Sequence, residues 1–229
     1  MLPPSEPSVL RTTEGEVPLE EYHLRLEGRA WRIRHTGAIL SHADEERFLL
    51  GDHPRVPYGV VLWPAAIALA HDLATRPLRG TSVLELGAGT GLPGIVAASL
   101  GARVVQTDRQ ELALHVCEAN ARRNERQNGL MAVEHRLADW TAWDDKATYD
   151  WIVGSDILYA QAMHPHLREI FDQNLARGGR LLLADPFRKE SFALLETMEA
   201  DGWEVSMTKW TVGISPPERA IGVFELRHR

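Results

Sequence analysis

The sequence predicts an open α/β fold, a mostly parallel sheet with helices on both faces. From residue 82 onward, short apolar runs alternate with longer segments whose apolar residues recur at helical spacing. A glycine-rich segment falls where the first of these runs passes into a helix. The last two runs have no helical pattern between them, which predicts an antiparallel strand pair at the C-terminal end.

Taken in order, residues 1–17 are polar and proline-bearing and are expected to be poorly ordered unless bound. Residues 1–10 hold three prolines, no basic residue and no apolar run, so neither a secretory signal nor a membrane anchor is expected. Residues 21–36 alternate on either side of Glu27, Gly28 and Arg29, the pattern of a β-hairpin. A charged stretch, 42–46, precedes Tyr58 to Pro64, after which Ala66, Leu69, Ala70 and Leu73 mark a helix that stops near Pro77. Residues 83–86, 104–107, 151–154 and 181–184 are apolar enough to be covered on both faces, and 133–137 is a shorter strand-like stretch. Leu112, Val116 and Ala119 mark a helix between them. Met163, Leu167, Ile170, Phe171 and Leu175 mark another, expected to end at Gly178 and Gly179. Phe192, Leu195 and Met198 mark a last helix before strands 203–210 and 222–227. The division expected is a tail and hairpin extension over 1–57 and a catalytic domain over 58–229.

The 229 residues suffice for one well-buried core, and 44% hydrophobic with 25% charged residues is ordinary globular composition. A net charge of -7 disfavours a broad nucleic-acid footprint, which needs clustered Lys and Arg. The single cysteine, Cys117, has no disulfide partner within the chain and reads as a small apolar packing residue. No stretch is apolar and long enough to span a bilayer, and the expected location is cytoplasmic.

The strongest local signal is Glu85, Leu86, Gly87, Ala88, Gly89, Thr90, Gly91, Leu92, Pro93, Gly94. Glycines allow a sharp turn and a close ligand approach at the carboxyl end of a strand, and Pro93 suits a first helical turn. Asp108, seventeen residues after Gly91, ends the second strand, where a carboxylate can accept hydrogen bonds from both ribose hydroxyls. A dinucleotide fingerprint wants glycine where Leu92 stands, and Glu85 adds a carboxylate that would repel a pyrophosphate. Together these residues resemble motif I of class I methyltransferases. The resemblance implies a Rossmann-like seven-strand sheet and S-adenosylmethionine as cofactor, a cationic ligand without phosphate.

Asp139 and Trp140 follow the strand-like stretch 133–137. They read either as a carboxylate and ring that contact adenine, or as a turn aspartate and a core ring. Asp156 and Tyr159 lie past the carboxyl end of the strand 151–154, the end that faces the ligand crevice in open α/β sheets. A carboxylate there can orient an incoming amine and an aromatic ring can stabilise its cationic character. Alternatively, Asp156 caps the next helix and Tyr159 packs on it.

With Leu62, Trp63 and Pro64, this constellation resembles methyltransferase family 16, which includes protein lysine methyltransferases. The family's Asp-x-x-Tyr element falls on Asp156 and Tyr159 and its tryptophan on Trp63. The resemblance implies that Trp63 closes the cofactor pocket and that Asp156 and Tyr159 border the acceptor channel. Neither the hairpin nor the loop 211–219 carries a transferable motif. His164 and His166 have no partners at zinc spacing and read as surface histidines near a helix start, so no metal is expected. Arg188 contacts an acceptor or pairs with a surface acid.

The activity expected is methyl transfer to a lysine of a protein partner by a monomer. The alternatives are a small-molecule N-methyltransferase and a non-catalytic interaction module that keeps the fold. A nucleic-acid amino-methyltransferase is disfavoured, because Ser155, Asp156, Ile157 and Leu158 stand where an Asn/Asp-Pro-Pro-aromatic element would be required.

Overall fold

The computed structural model describes residues 9–12, 15–37, 58–213 and 218–228. The charged stretch 42–46 and the centre of the loop 211–219 lie outside these residues. Strands β1 (Val9–Thr12) and β2 (Gly15–Pro18) pair antiparallel, where the sequence predicted little order. The correction has a tertiary cause: Leu10 packs on Val60, Ala113 and Val116, and Val17 is buried. Composition does not reveal a cover that comes from residues a hundred positions away.

The hairpin expected around Gly28 is formed by β3 (Glu20–Leu26) and β4 (Arg29–His35). It is a separate two-stranded sheet, yet Leu24, Leu26, Trp31 and Ile33 share a core with α1 (Pro64–Ala74). The main sheet is built from β5 (Ser82–Leu86), β6 (Arg103–Asp108), β7 (Val133–Leu137), β8 (Tyr149–Ser155), β9 (Leu175–Asp185), β10 (Trp203–Val212) and β11 (Arg219–His228). Their order is β10-β11-β9-β8-β5-β6-β7, parallel from β9 to β7, with β11 antiparallel to both of its neighbours. This is the seven-strand, mostly parallel arrangement the sequence predicted.

Helices α2 (Leu92–Ser99), α3 (Glu111–Asn128), α4 (His164–Asn174) and α5 (Lys189–Ala200) complete the layers. Alternate strand residues enter two cores. Val83, Val153, Leu182 and Val223 join α1 and α2 on one face, whereas Leu84, Ile152, Leu183 and Phe224 join α4 and α5 on the other. A strand buried on both faces must be apolar at consecutive positions, which explains the continuous runs in the sequence.

Two details depart from expectation. Helix α4 ends at Asn174, before the predicted Gly178, and Leu175 already belongs to β9, paired with Tyr149. The buried Asn174 amide donates to the carbonyls of Asp145 and Ala147 and accepts from the Trp143 indole, so its tertiary bonds fix the end of the helix. The second departure is an asparagine ladder on α3. Asn120 both accepts from and donates to the Arg34 backbone (2.8 and 3.0 Å). Asn124 does the same with Arg32 (3.0 and 2.8 Å), and Asn128 donates to Ala30 at 3.0 Å. Four helical residues advance about 6 Å and two strand residues about 6.7 Å, so the steps stay in register along the edge of β4. The ladder satisfies an edge that would otherwise be unpaired.

Candidate active site

The glycine-rich turn opens at the carboxyl end of β5. Gly87 and Gly89 adopt left-handed φ angles of 62 and 55 degrees. A Cβ at Gly87 would stand 2.9 Å from Ile157, and one at Gly89 would stand 3.1 Å from the Gly59 carbonyl. Both positions therefore require glycine for backbone and for space. They line an open cleft of about 310 Å3 together with Trp63, Asp108, Asp139, Trp140, Asp156 and Tyr159. Eight of the predicted site residues thus face one space.

Two predicted contacts do not. Glu85 is buried beneath the turn, where one carboxylate oxygen accepts from Gly94 N at 3.0 Å and from Gln106 Nε2 at 2.6 Å. Burial pushes its pKa up to about 8, against the pull of these two donors. Glu85 therefore braces the turn instead of facing a ligand, and its buried carboxyl does not repel a pyrophosphate as the sequence suggested. Gly91 likewise faces inward, within 3.0 Å of Gln106 and Cys117 for an added Cβ. The Cys117 thiol donates to the Gly89 carbonyl at 3.2 Å, and burial raises its pKa well above the ordinary thiol range, so it stays protonated and structural.

Asp108 accepts from Gly89 N (3.1 Å) through one oxygen and from Gln110 N (3.0 Å) through the other. Burial raises its pKa while these backbone donors and that of Arg109 hold it down. A carboxylate so anchored keeps lone pairs for two ribose hydroxyls. Asp139 lies exposed at the cleft rim and accepts from Thr141 N and Oγ1 (2.9 and 2.8 Å). Its turn role and its place on the cleft coexist. Trp140 borders the cleft and packs partly on the core of α4 and α5.

After β8, the neighbour of β5, Asp156 has a φ of 55 degrees and its side chain lies nearly buried against Arg188, whose Nη1 donates to its Oδ1 at 2.6 Å. It does not cap a helix. Its Oδ2 is buried with no hydrogen-bond partner among the described residues. Burial pushes its pKa up to about 6 despite Arg188. Tyr159 is about half exposed. The loop between them is held by His164, which is buried and bonded to the Leu158 carbonyl at 2.9 Å, and so is not the surface histidine expected. Among the described residues no group of His, Cys, Asp and Glu could hold a metal ion.

Sequence reasoning missed Gly59, Arg109, Gln110 and Met163 as cleft residues. It also missed Gln106, whose signal was an amide directly after the apolar pair Val104 and Val105 in a buried strand.

The family model described as lysine methyltransferase matches residues 44–197, about two thirds of the chain. The chain belongs to the lysine methyltransferase family. Its methyl donor is S-adenosylmethionine, and the cleft fits that group: Gly87 and Gly89 leave the turn open to close approach, the anchored Asp108 carboxylate can accept from hydroxyl groups, and Trp63 and Trp140 line the space. Among relatives of this methyltransferase is the protein N-lysine methyltransferase METTL21A of Xenopus tropicalis. It is 38% identical over 140 residues, 60% of this chain and 65% of that protein, just under two thirds of its length. METTL21A of Danio rerio is 36% identical over 157 residues, 66% of this chain and 71% of that protein. The histone-arginine methyltransferase METTL23 of Xenopus laevis is 37% identical over 108 residues, 44% of this chain and 45% of that protein. The solved structure of the T. Thermophilus 16S rRNA methyltransferase RsmC has a TM-score of 0.58 at 20% identity, covering 92% of this chain and 51% of that one. A magnesium protoporphyrin IX methyltransferase from Synechocystis with bound SAM has a TM-score of 0.56 at 17% identity, covering 71% and 77%. At such identities the likeness establishes the class I methyltransferase fold alone.

Proposed function

We propose that this methyltransferase modifies a lysine side chain of another, cytoplasmic protein, with Asp156 and Tyr159 facing the incoming amine. The observation that carries the reading is the buried, unpartnered Asp156 Oδ2, on a residue that lines the cleft one strand over from the glycine turn, with exposed Tyr159 lining the same cleft.

When bound, S-adenosylmethionine supplies a methyl carbon made electrophilic by its sulfonium. The protein's part is placement and proton handling. Gly87 and Gly89 admit the nucleoside against the backbone, Asp108 accepts its ribose hydroxyls, and Trp63 borders the entrance. Asp156 Oδ2 would accept a hydrogen bond from the acceptor nitrogen and take up its proton, which frees the nitrogen lone pair for the new N–C bond; the methyl–sulfur bond would break in the same step, its electron pair staying on sulfur as S-adenosylhomocysteine leaves. The Tyr159 ring, which lines the same cleft, would offer a favourable aromatic contact to the positive charge that develops on that nitrogen.

Incubation of the protein with methyl-tritiated S-adenosylmethionine and a lysate tests this reading. Acid hydrolysis of labelled protein should yield methylated lysine. Label found only in a small metabolite would favour an N-methyltransferase of metabolites. Label in arginine would align the chain with its METTL23 relatives instead.

A further inference from the structure

Arg188 stands in the loop after β9, at the start of α5, and its side-chain bonds run to Asp156 and Asp185. Its backbone N–H donates to Asp185 Oδ1 at 2.7 Å. Its Nη1 bridges Asp185 Oδ2 at 3.0 Å and Asp156 Oδ1 at 2.6 Å. Asp185 is wholly buried and Asp156 nearly so. The preceding residue, Phe187, holds a strained left-handed φ of 66 degrees. Its ring packs with Phe192 and Phe224, which keeps that strained turn in place.

We propose that Arg188 is a positioning residue for methyl transfer: anchored by Asp185, it fixes Asp156 Oδ1 and so leaves Oδ2 as the one carboxylate oxygen presented to the acceptor amine. The proposal rests on the reading of Asp156 as the acceptor-facing group. A single guanidinium nitrogen bonded to two buried carboxylates restricts the rotation of the Asp156 carboxyl. The electrostatics agree with the geometry. Arg188 lowers the Asp156 pKa, as does Arg219 from β11, while Asp185 raises it and burial outweighs them all. The titratable residues lining the cleft with it are Tyr159, Asp108, Arg109 and Asp139. Without Arg188 more of the carboxyl would carry its proton at neutral pH, and a protonated carboxyl cannot accept the amine's.

The test combines activity with a readout that needs no acceptor. The Asp156 carboxyl is followed by carbon-13 NMR in protein labelled at aspartate carboxyls, assigned by its absence in Asp156→Asn. In Arg188→Gln the titration midpoint should move upward, the acid limb of the methyl-transfer rate should move with it, and kcat should fall about 100-fold, the scale for a misplaced reacting group. Affinity for S-adenosylhomocysteine should be unchanged. Arg188→Lys, which keeps the charge without the planar fork, should restore the midpoint and recover only part of the rate. A folded Arg188→Gln with an unmoved midpoint and rate, or with cofactor affinity lost in proportion to rate, overturns the proposal. Should that variant not fold, Arg188→Lys is judged by the same measures, and a fully wild-type rate in it overturns the role of the fork. If the wild type labels no lysine, the proposed function fails, while the carboxyl titration still judges the Arg188 assignment.

Discussion

Asn120 Nδ2 donates to the Thr90 carbonyl at 2.9 Å, inside the glycine-rich turn, while the same amide nitrogen reaches the Arg34 carbonyl at 3.0 Å. One side chain on α3 therefore ties the N-terminal hairpin to the backbone of the cofactor turn. Asn124 and Asn128 extend the contact along β4 without touching the turn.

This difference separates two variants. Asn120→Ala leaves buried backbone groups of Arg34 and Thr90 without partners and should cost about 1 to 3 kcal/mol of stability. It should also weaken binding of S-adenosylhomocysteine. Asn124→Ala should lower stability alone. Urea denaturation and calorimetry of both proteins check the split, and equal affinity in the two would show that the hairpin and the turn are energetically separate.

The three asparagines were legible in the sequence as a four-residue spacing, yet nothing in that spacing named β4 as the partner. The fold itself was readable because Val83, Val153 and Leu182 stand beside Leu84, Ile152 and Leu183, and a strand apolar at every position has a covered sheet on both sides. The cleft was readable because a glycine turn and strand-end carboxylates are fixed by local chain geometry. Glu85 was misplaced for the complementary reason: alternation along β5 does not say whether a carboxylate at its end turns upward to a ligand or beneath the turn. Arg188 could not be resolved either, since its partners Asp156 and Asp185 meet only when β8 and β9 lie side by side.

Glu85 makes stability depend on pH in a stated direction. Below about pH 4.5 it is protonated in both the folded and the unfolded chain. Above that value the unfolded chain releases the proton, whereas the folded chain retains it up to about pH 8. Folding stability should therefore fall across this window, by an amount on the order of a few kcal/mol. Glu85→Gln keeps an acceptor oxygen for Gly94 and Gln106 and removes the titration. Its stability should fall less than that of the wild type between pH 5 and 8, as read by urea midpoints. Parallel curves would place no proton on Glu85.

Asp108→Ala should weaken S-adenosylhomocysteine binding by about 1 to 3 kcal/mol, because the ribose hydroxyls lose an acceptor that Gly89 and Gln110 hold in place. Asp108→Asn tests charge separately from shape, since one of its two oxygens survives. Calorimetry should rank it between the wild type and the alanine variant. An affinity equal to wild type in folded Asp108→Ala would remove this residue from the ribose site.

Asp156 should instead separate binding from chemistry. It follows β8, one strand over from the glycine turn, and its carboxylate is held by Arg188 rather than by the turn, so Asp156→Asn should keep most of the affinity for S-adenosylhomocysteine and lose methyl transfer, with kcat falling about 100-fold or more. The pH dependence follows from its charge. Burial raises the pKa to about 6, so the carboxylate that can accept the amine's proton becomes the major form only as the pH rises through that value. The wild-type rate under saturating cofactor should climb between pH 5 and 7 with a midpoint near 6. In Asp156→Asn that limb should vanish, leaving the shallower rise expected from free amine alone. A variant in which cofactor affinity and rate fall together would place Asp156 in the nucleoside site. An unchanged limb at pH 6 would assign the titration to another group.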